Sequence, residues 1–84
     1  MFHLYILKSK VKGKLYIGYT KDLQKRVMEH NSGFSQSTKP YIPWELVYYE
    51  SYKLLEDAKD REFKLKHYGQ TFRRLKERLA KSLL

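Results

Sequence analysis

The segment GKLYIGYT, residues 13–20, starts with the composition of a β-strand and ends where a helix is expected to begin. Leu15, Tyr16 and Ile17 are residue types that favour strands. Gly18 interrupts the run, and the following KDLQKRVMEH has the composition of a helix. A tyrosine in a strand usually packs in the core, but its phenol can also take part in chemistry. The segment alone leaves both interpretations open.

The flanking sequence extends this unit into a small domain. A glycine-containing turn joins a strand over residues 2–8 to one over 15–19. Thr20 is the expected N-cap of a helix that ends near residue 30, and a polar loop occupies residues 34–43. The remaining pattern predicts a strand at 44–52 and helices at 54–68 and from 71 onward. The order ββαβαα predicts an α+β fold with a three-stranded sheet covered by helices, as one domain over residues 1–84.

The charge balance favours a polyanionic partner. Eighteen Lys and Arg against nine Asp and Glu give a formal net charge of +9. This charge favours nucleic acid as the partner, with an anionic membrane surface as the second choice. A solvated basic surface is the alternative. The chain has no cysteine, which excludes disulfides and thiolate metal sites. No apolar run approaches the roughly 18 residues of a membrane span, so we expect a cytoplasmic protein without a membrane partner.

Polar residues fall on the apolar faces of two predicted helices. In the first helix Leu23 and Val27 mark the buried stripe, and Arg26 and His30 lie on it or beside it. A buried guanidinium needs an anion, a carbonyl group or solvent in a cleft. The alternative is that Arg26 extends to the rim and His30 is a hydrogen-bonded boundary residue.

Glu62 occupies the corresponding position in the second predicted helix, between Ala58 and Leu65. Its carboxylate could pair with Arg26, bind a divalent cation or form a structural salt bridge with a lysine. Tyr5 and Tyr16, on adjacent strands of the hairpin, could present both hydroxyls on one side of the sheet. These residues could therefore converge on one sheet surface.

At these positions the sequence resembles the GIY-YIG nuclease family, in particular its small single-domain bacterial members, which are similar to the nuclease domain of the excision-repair C subunit. The matching parts are His3-Leu4-Tyr5, Tyr16-Ile17-Gly18, DLQKRVMEHNSG, STKPYIPWELVYYE and the segment 58–62. The resemblance as a whole extends over nearly the entire chain. A lone YIG is a weak signal, but the ordered set at these separations is specific.

The resemblance implies a three-stranded antiparallel sheet flanked by helices and metal-dependent cleavage of a DNA phosphodiester. Tyr5 and Tyr16 are then the motif tyrosines, one of them a general base toward water. Arg26 matches the essential arginine, with His30 one turn further on, and Glu62 matches the glutamate that holds a single Mg²⁺ or Mn²⁺. An arginine and a hard cation suit the charge that develops on a phosphate.

The sequence departs from the family pattern at three places. His3 replaces the glycine of the first triad, and Tyr19 follows Gly18 where some members carry a lysine. Lys14 is a candidate to replace that missing cation. No counterpart of the asparagine found in longer family domains follows Gly69. A weak or highly selective activity is consistent with these departures.

The loop before the third predicted strand is a candidate DNA contact. Hydroxyl groups and lysines position a nucleic-acid backbone by contacting its phosphates, and a turn-rich surface loop is the alternative. The predicted DNA-binding residues are Lys14, Ser35, Ser37, Thr38 and Lys39. A basic series near the C-terminus either follows the DNA backbone or is solvated; it comprises Arg73, Arg74, Lys76, Arg78 and Lys81.

The sequence thus predicts an endodeoxyribonuclease of the GIY-YIG type, acting on single-stranded, nicked or branched DNA. One rival is a nucleic-acid-binding module that keeps the fold without cleavage and acts with a protein partner; its salt-sensitive binding would survive Glu62→Ala. A second rival is a basic interaction protein without preference for DNA over other polyanions.

Overall fold

The computed structural model describes residues 1–84 and contains the predicted order of elements. Three strands and three helices follow one another in the order ββαβαα, with one short 3₁₀ helix before the last strand. Their bounds are β1 Phe2–Ser9, β2 Leu15–Thr20, α1 Leu23–Asn31, the 3₁₀ helix Lys39–Tyr41, β3 Trp44–Tyr52, α2 Leu55–His67 and α3 Gly69–Arg78. The α+β class is confirmed.

The sheet is antiparallel throughout, with strand order β2-β1-β3. β1 is the central strand, and β2 is an edge strand. In the hairpin, Tyr5 pairs with Gly18 and Leu7 pairs with Tyr16. Because directly paired residues point to the same face of a sheet, Tyr5, Leu7 and Tyr16 share one face.

Each face of the sheet has its own apolar cluster. Leu4, Ile6 and Ile17 pack on one face against Leu65 of α2 and Leu75 of α3. The other face carries a second cluster that includes α1 residues; its members include Tyr5, Leu7, Trp44, Tyr16, Leu23 and Val27. α1 therefore covers one face, and α2 and α3 cover the other, so the expectation of a helix-flanked sheet is confirmed.

Two helix boundaries differ from the sequence prediction. The N-cap of α1 is Asp22, whose side chain accepts from the Lys25 N–H, and the predicted cap Thr20 instead accepts from the Asp22 N–H. α3 begins at Gly69, and Tyr68 caps both α2 and α3, so Gly69 opens the third helix. None of the helices is both long and apolar enough to cross a membrane.

Candidate active site

Gly18 lies within β2 and does not interrupt it as the sequence suggested. A glycine is needed at this position because it leaves room for the ring of Tyr5. A Cβ atom at residue 18 would lie 2.6 Å from the Tyr5 hydroxyl oxygen and 2.7 Å from Cζ. It would also lie 3.1 Å from Cε2 of Tyr16. Tyr5 is 1% exposed, so its ring has little freedom to move aside. The glycine is required by the side-chain packing around the two tyrosines.

Gly18→Ala is therefore expected to destabilise the fold by about 1–3 kcal/mol, the usual cost of overpacking a filled site. It should also displace the Tyr5 hydroxyl. Gly69→Ala is the matched control, because a Cβ there meets nothing within 4 Å. Urea unfolding of both variants gives the comparison; equal stabilities would show that Tyr5 accommodates the methyl group.

A buried hydrogen-bond chain links β1, α1 and the loop before β3. The Tyr5 hydroxyl lies 2.8 Å from Nε2 of His30, and Nδ1 of His30 lies 2.8 Å from Oγ1 of Thr38. Thr38 donates its own hydroxyl hydrogen to the Ser35 carbonyl. Its oxygen must then accept from Nδ1–H, which leaves Nε2 to accept from the Tyr5 O–H. The chain thus fixes both the tautomer of His30 and the direction of the tyrosine hydroxyl.

The surroundings keep both ends of the Tyr5–His30 pair neutral. Burial raises the pKa of Tyr5 to about 12, against an opposing effect of the Arg26 guanidinium. Burial, reinforced by the same guanidinium, lowers the pKa of His30 to about 4. His30 is fully buried, consistent with a neutral imidazole that can accept a proton only when nearby charge changes.

The lowered pKa of His30 predicts a loss of stability in mild acid. The unfolded chain takes up a proton near pH 6.5 and the folded chain only near pH 4, so stability is complete above pH 6.5 and falls as the pH drops below it. Between pH 7.5 and pH 5.0 the loss should be about 2 kcal/mol.

Urea unfolding at pH 7.5 and pH 5.0 measures this loss. Both pH values lie above the usual pKa values of carboxyl groups. His30→Gln, which cannot titrate there, should reduce the difference. His67→Gln is the control because that ring is exposed. A pH-independent wild-type stability would contradict the assignment.

Arg26 lies beside this pair without being enclosed. Its Nη1 atom is 3.2 Å from Oε1 of Glu29, and its side chain remains 31% exposed. Burial lowers the pKa of Arg26, but the nearby Tyr5 phenol and Glu29 carboxylate outweigh it, so the pKa of Arg26 is raised overall. The possible pairing of Arg26 with Glu62 is not formed. Arg26 therefore keeps part of its guanidinium accessible next to the tyrosine hydroxyl.

Tyr16 connects the buried chain to α2. Its ring packs edge-on against His30, with the ring centroids 4.9 Å apart. Lys66 of α2 places Nζ 5.8 Å from the Tyr16 ring centroid and 3.2 Å from Oε2 of Glu62. The cation beside Tyr16 is therefore Lys66 and not Lys14, whose Nζ lies over the Tyr41 ring at 4.3 Å.

Glu62 reaches this region around the exposed edge of the sheet. Its helix covers the face opposite Tyr5, but β2 is an edge strand and α2 packs on it. Oε2 of Glu62 contacts the Lys66 Nζ that lies 5.8 Å from the Tyr16 ring centroid, so the carboxylate lies on the side of α2 that is next to Tyr16. The side chain is 22% exposed, and only Oε2 is paired with Lys66.

The donor set around Glu62 fits a hard divalent cation held mainly by non-protein oxygens. The structure contains no group of three or more His, Asp and Glu side chains arranged to hold a metal. Mg²⁺ commonly binds through one or two carboxylates together with water and substrate phosphate. A single carboxylate with one oxygen unpaired suits that mode, and Lys66 would have to yield its contact.

The loop residues predicted to contact DNA have different environments. Ser37 and Lys39 are exposed, and Ser35 is partly buried. Thr38 is 1% exposed, and its hydroxyl is used by His30 and the Ser35 carbonyl. Phosphate contact by Thr38 is therefore blocked in this conformation, because its polar atom faces inward and is already hydrogen-bonded.

Two residues that sequence reasoning did not single out hold the loop in place. Nε1 of Trp44 donates to the Thr38 carbonyl at 2.9 Å. The Asn31 side chain accepts from the Trp44 N–H and donates to the Trp44 carbonyl. The position of Thr38 against His30 thus depends on a contact between the end of α1 and the start of β3.

Known proteins resemble the chain over most of its length. The GIY-YIG catalytic domain matches residues 1–76. A UPF0213 protein of Staphylococcus saprophyticus is 41% identical over 69 residues, covering 81% of this chain and 83% of the relative. One from Staphylococcus epidermidis is 44% identical over 66 residues, covering 77% and 79%.

A structural relative gives the same assignment. The solution NMR structure of a UPF0213 protein from Bacillus halodurans superimposes with a TM-score of 0.54 at 35% identity, covering 96% of this chain and 84% of that one. The chain therefore belongs to the GIY-YIG family, among the small bacterial UPF0213 proteins.

Proposed function

We propose that the protein is a divalent-metal-dependent endonuclease that hydrolyses DNA phosphodiesters at the edge of β2. A GIY-YIG catalytic domain implies nuclease-like hydrolysis of a phosphodiester and a nucleic-acid substrate. The observation that supports the finer proposal is that side chains from four elements, β1, β2, α1 and α2, lie near one another toward the β2 edge of the sheet. These side chains are Tyr5, Tyr16, Arg26, His30 and Glu62.

The Tyr5–His30 pair supplies a route for the proton of the attacking water. The Tyr5 hydroxyl already donates to Nε2 of His30, so its oxygen lone pairs can accept from water. As the water oxygen attacks phosphorus, its proton passes to Tyr5 while the phenolic proton passes to His30. The phenol thus never has to exist as a free phenolate, which its pKa of about 12 disfavours.

The remaining groups respond to charge on the phosphate. Arg26 offers guanidinium N–H groups to the oxygens on which negative charge increases in the transition state. That charge also favours a cationic His30 at the moment of transfer. Glu62 would hold Mg²⁺ or Mn²⁺, which when bound would stabilise the leaving 3′-oxygen. The Tyr16 ring packs against His30 on one side and lies near Lys66, the partner of Glu62, on the other.

The test is incubation of purified protein with single-stranded, nicked and branched DNA of defined sequence, with Mg²⁺ or Mn²⁺ and with chelator. We expect metal-dependent products that carry a 5′-phosphate and a 3′-hydroxyl on at least one substrate. Intact substrates under enzyme excess with both metals would contradict cleavage of these DNAs. Chelator-insensitive products would instead exclude the metal-dependent mechanism.

One observation favours a second candidate, a binding module without cleavage that acts with a protein partner. The only carboxylate proposed to bind the metal is already paired with Lys66 at 3.2 Å. If that pair persists with DNA present, binding remains and hydrolysis is lost. Binding that survives Glu62→Ala, with no product from wild-type protein, would identify this case.

Thr38→Val should slow cleavage on the order of tenfold, because the positioning hydroxyl on His30 is lost. The effect should appear in kcat rather than KM, since Thr38 is buried and does not face substrate. Thr38→Ser keeps the hydroxyl and should restore the rate. If the two variants have equal rates, Thr38 acts only through packing.

A further inference from the structure

A basic pocket lies between α2 and α3, away from the proposed active site. It has a volume of about 170 Å³ and is lined by Arg61, Thr71, Arg74, Leu75 and Arg78. Three of these five side chains end in guanidinium groups, which can only donate hydrogen bonds. The fourth polar group is the Thr71 hydroxyl, which can also donate to an anionic oxygen. The lining therefore has the composition of an anion-binding pocket.

The helix pattern places these groups together. Thr71, Arg74 and Arg78 are spaced at i, i+3 and i+7 and so share one side of α3. Leu75 lies on the same side and is 3% exposed in the apolar cluster beneath α2 and α3. Phe72 and Leu79 complete the apolar face on one side of Leu75, and the exposed Arg74 and Arg78 lie on its other flank.

The positive charge of the pocket is only partly neutralised. Arg61 makes a two-point contact with Glu50, through Nε to Oε1 and Nη2 to Oε2, both at 3.0 Å. This contact fixes the plane of the Arg61 guanidinium. Arg74 and Arg78 make no ion pair in the structure. Two guanidiniums therefore face the pocket without a carboxylate, a repulsive arrangement that a bound anion would relieve.

The pocket is separate from the Tyr5 site. It is built from the helices that cover the opposite face of the sheet. Arg61 is held by Glu50 on β3, whereas its neighbour Glu62 lies toward Tyr16 on β2, at the other edge. A group bound between α2 and α3 is therefore a different group from the phosphate proposed for cleavage.

We propose that this pocket binds a phosphate group, with Arg74 and Arg78 as its principal ligands and Thr71 as an additional donor. Guanidinium forks match the geometry of phosphate oxygens, and hydroxyl groups are common phosphate contacts. A backbone phosphate of a nucleic acid and free phosphate share this chemistry. The +9 chain charge favours a nucleic-acid segment that also engages the surrounding basic surface.

The experiment compares Arg74→Gln/Arg78→Gln with Arg73→Gln/Lys81→Gln. Both double variants remove two positive charges, but neither Arg73 nor Lys81 lines the pocket, and both are exposed. Far-UV circular dichroism and urea unfolding verify that both remain folded. One arm measures the affinity of a labelled single-stranded oligonucleotide in chelator across a salt series. The other follows the amide NMR signals of residues 69–78 during titration with inorganic phosphate.

In the oligonucleotide arm, loss of the pocket should reduce the salt slope by about 0.7, the single-strand value for one phosphate. The Arg73→Gln/Lys81→Gln control should retain a larger salt slope than the pocket variant and should bind the oligonucleotide more tightly. In the phosphate arm, the amide signals of wild type and control should shift saturably, and those of the pocket variant should not.

The two arms together identify the ligand. A loss of oligonucleotide binding that is specific to the pocket variant identifies nucleic acid. A loss of phosphate binding alone identifies free phosphate. Equal behaviour of the two variants in both arms would overturn the proposal. Because chelator prevents cleavage, this outcome is independent of whether the protein is a nuclease.

Discussion

Glu62→Gln is expected to lower the rate of metal-dependent DNA cleavage by at least about a hundredfold, since the loss of metal-based charge stabilisation amounts to several kcal/mol. Glutamine keeps the size of the side chain but removes the charge that would bind the cation. The fold should persist, because Glu62 is partly exposed and forms only an i,i+4 pair with Lys66. Initial rates across a Mg²⁺ and Mn²⁺ series measure the effect.

Asp60→Asn is the matched control for this substitution. Asp60 lies on the same helix and forms the same kind of i,i+4 pair, with Lys64 at 2.8 Å. Its removal tests the general effect of losing a carboxylate from α2. If Asn at position 60 and Gln at position 62 reduce cleavage equally, the proposed role of Glu62 in metal binding is wrong.

Arg26→Gln is expected to slow cleavage by about 10²–10³-fold, comparable to removing one donor from a site that stabilises transition-state charge. The loss should appear mainly in kcat, because the interaction strengthens as charge develops on the phosphate. The variant should also raise the pKa of His30, since the guanidinium helps to lower it. Single-turnover kinetics and an NMR titration of His30 measure these two effects.

Lys25→Gln provides the control for charge alone. Lys25 is exposed on the same helix, and its loss should weaken DNA attraction without reducing the chemical step. An Arg26→Gln variant with normal kcat and weakened binding would assign Arg26 to substrate attraction only. An unchanged His30 pKa would separately contradict the described proximity.

The fold was accessible from the sequence because its signals are local. The strand over residues 44–52 was predicted with the bounds observed for β3, since its aromatic and alternating residues suit a half-buried strand. The N-cap of α1 was placed two residues early. Thr20 and Asp22 are both good caps, and the backbone path after β2 decided between them.

The site was only partly accessible. Helical spacing placed Arg26 and His30 toward the sheet, and the structure brings both to Tyr5. The partners of His30 and Tyr16 on the other side could not be inferred. Thr38 reaches His30 through the folded shape of a loop, and Lys66 reaches Tyr16 around a sheet edge. Such contacts depend on how separate elements pack, which periodicity in one element does not encode.

The arrangement also explains why β2 carries a tyrosine at residue 16. Tyr16 both packs and faces the proposed chemistry, since its ring lies between His30 and Lys66. Gly18 makes the neighbouring Tyr5 ring possible. Packing and chemistry are therefore compatible interpretations of one segment.

The most direct test of a shared active centre is paramagnetic relaxation by Mn²⁺ in the protein bound to an uncleavable phosphorothioate oligonucleotide. The proposed site predicts preferential broadening of the ring signals of Tyr5, Tyr16 and His30 at low Mn²⁺. Tyr48 and Tyr52 should broaden least, because they hydrogen-bond to Glu50 on β3, the other edge strand, and pack on the opposite face of the sheet. Glu62→Gln should abolish that selectivity. Broadening centred elsewhere, or unchanged by the substitution, would show that no metal sits between residue 62 and the two tyrosines.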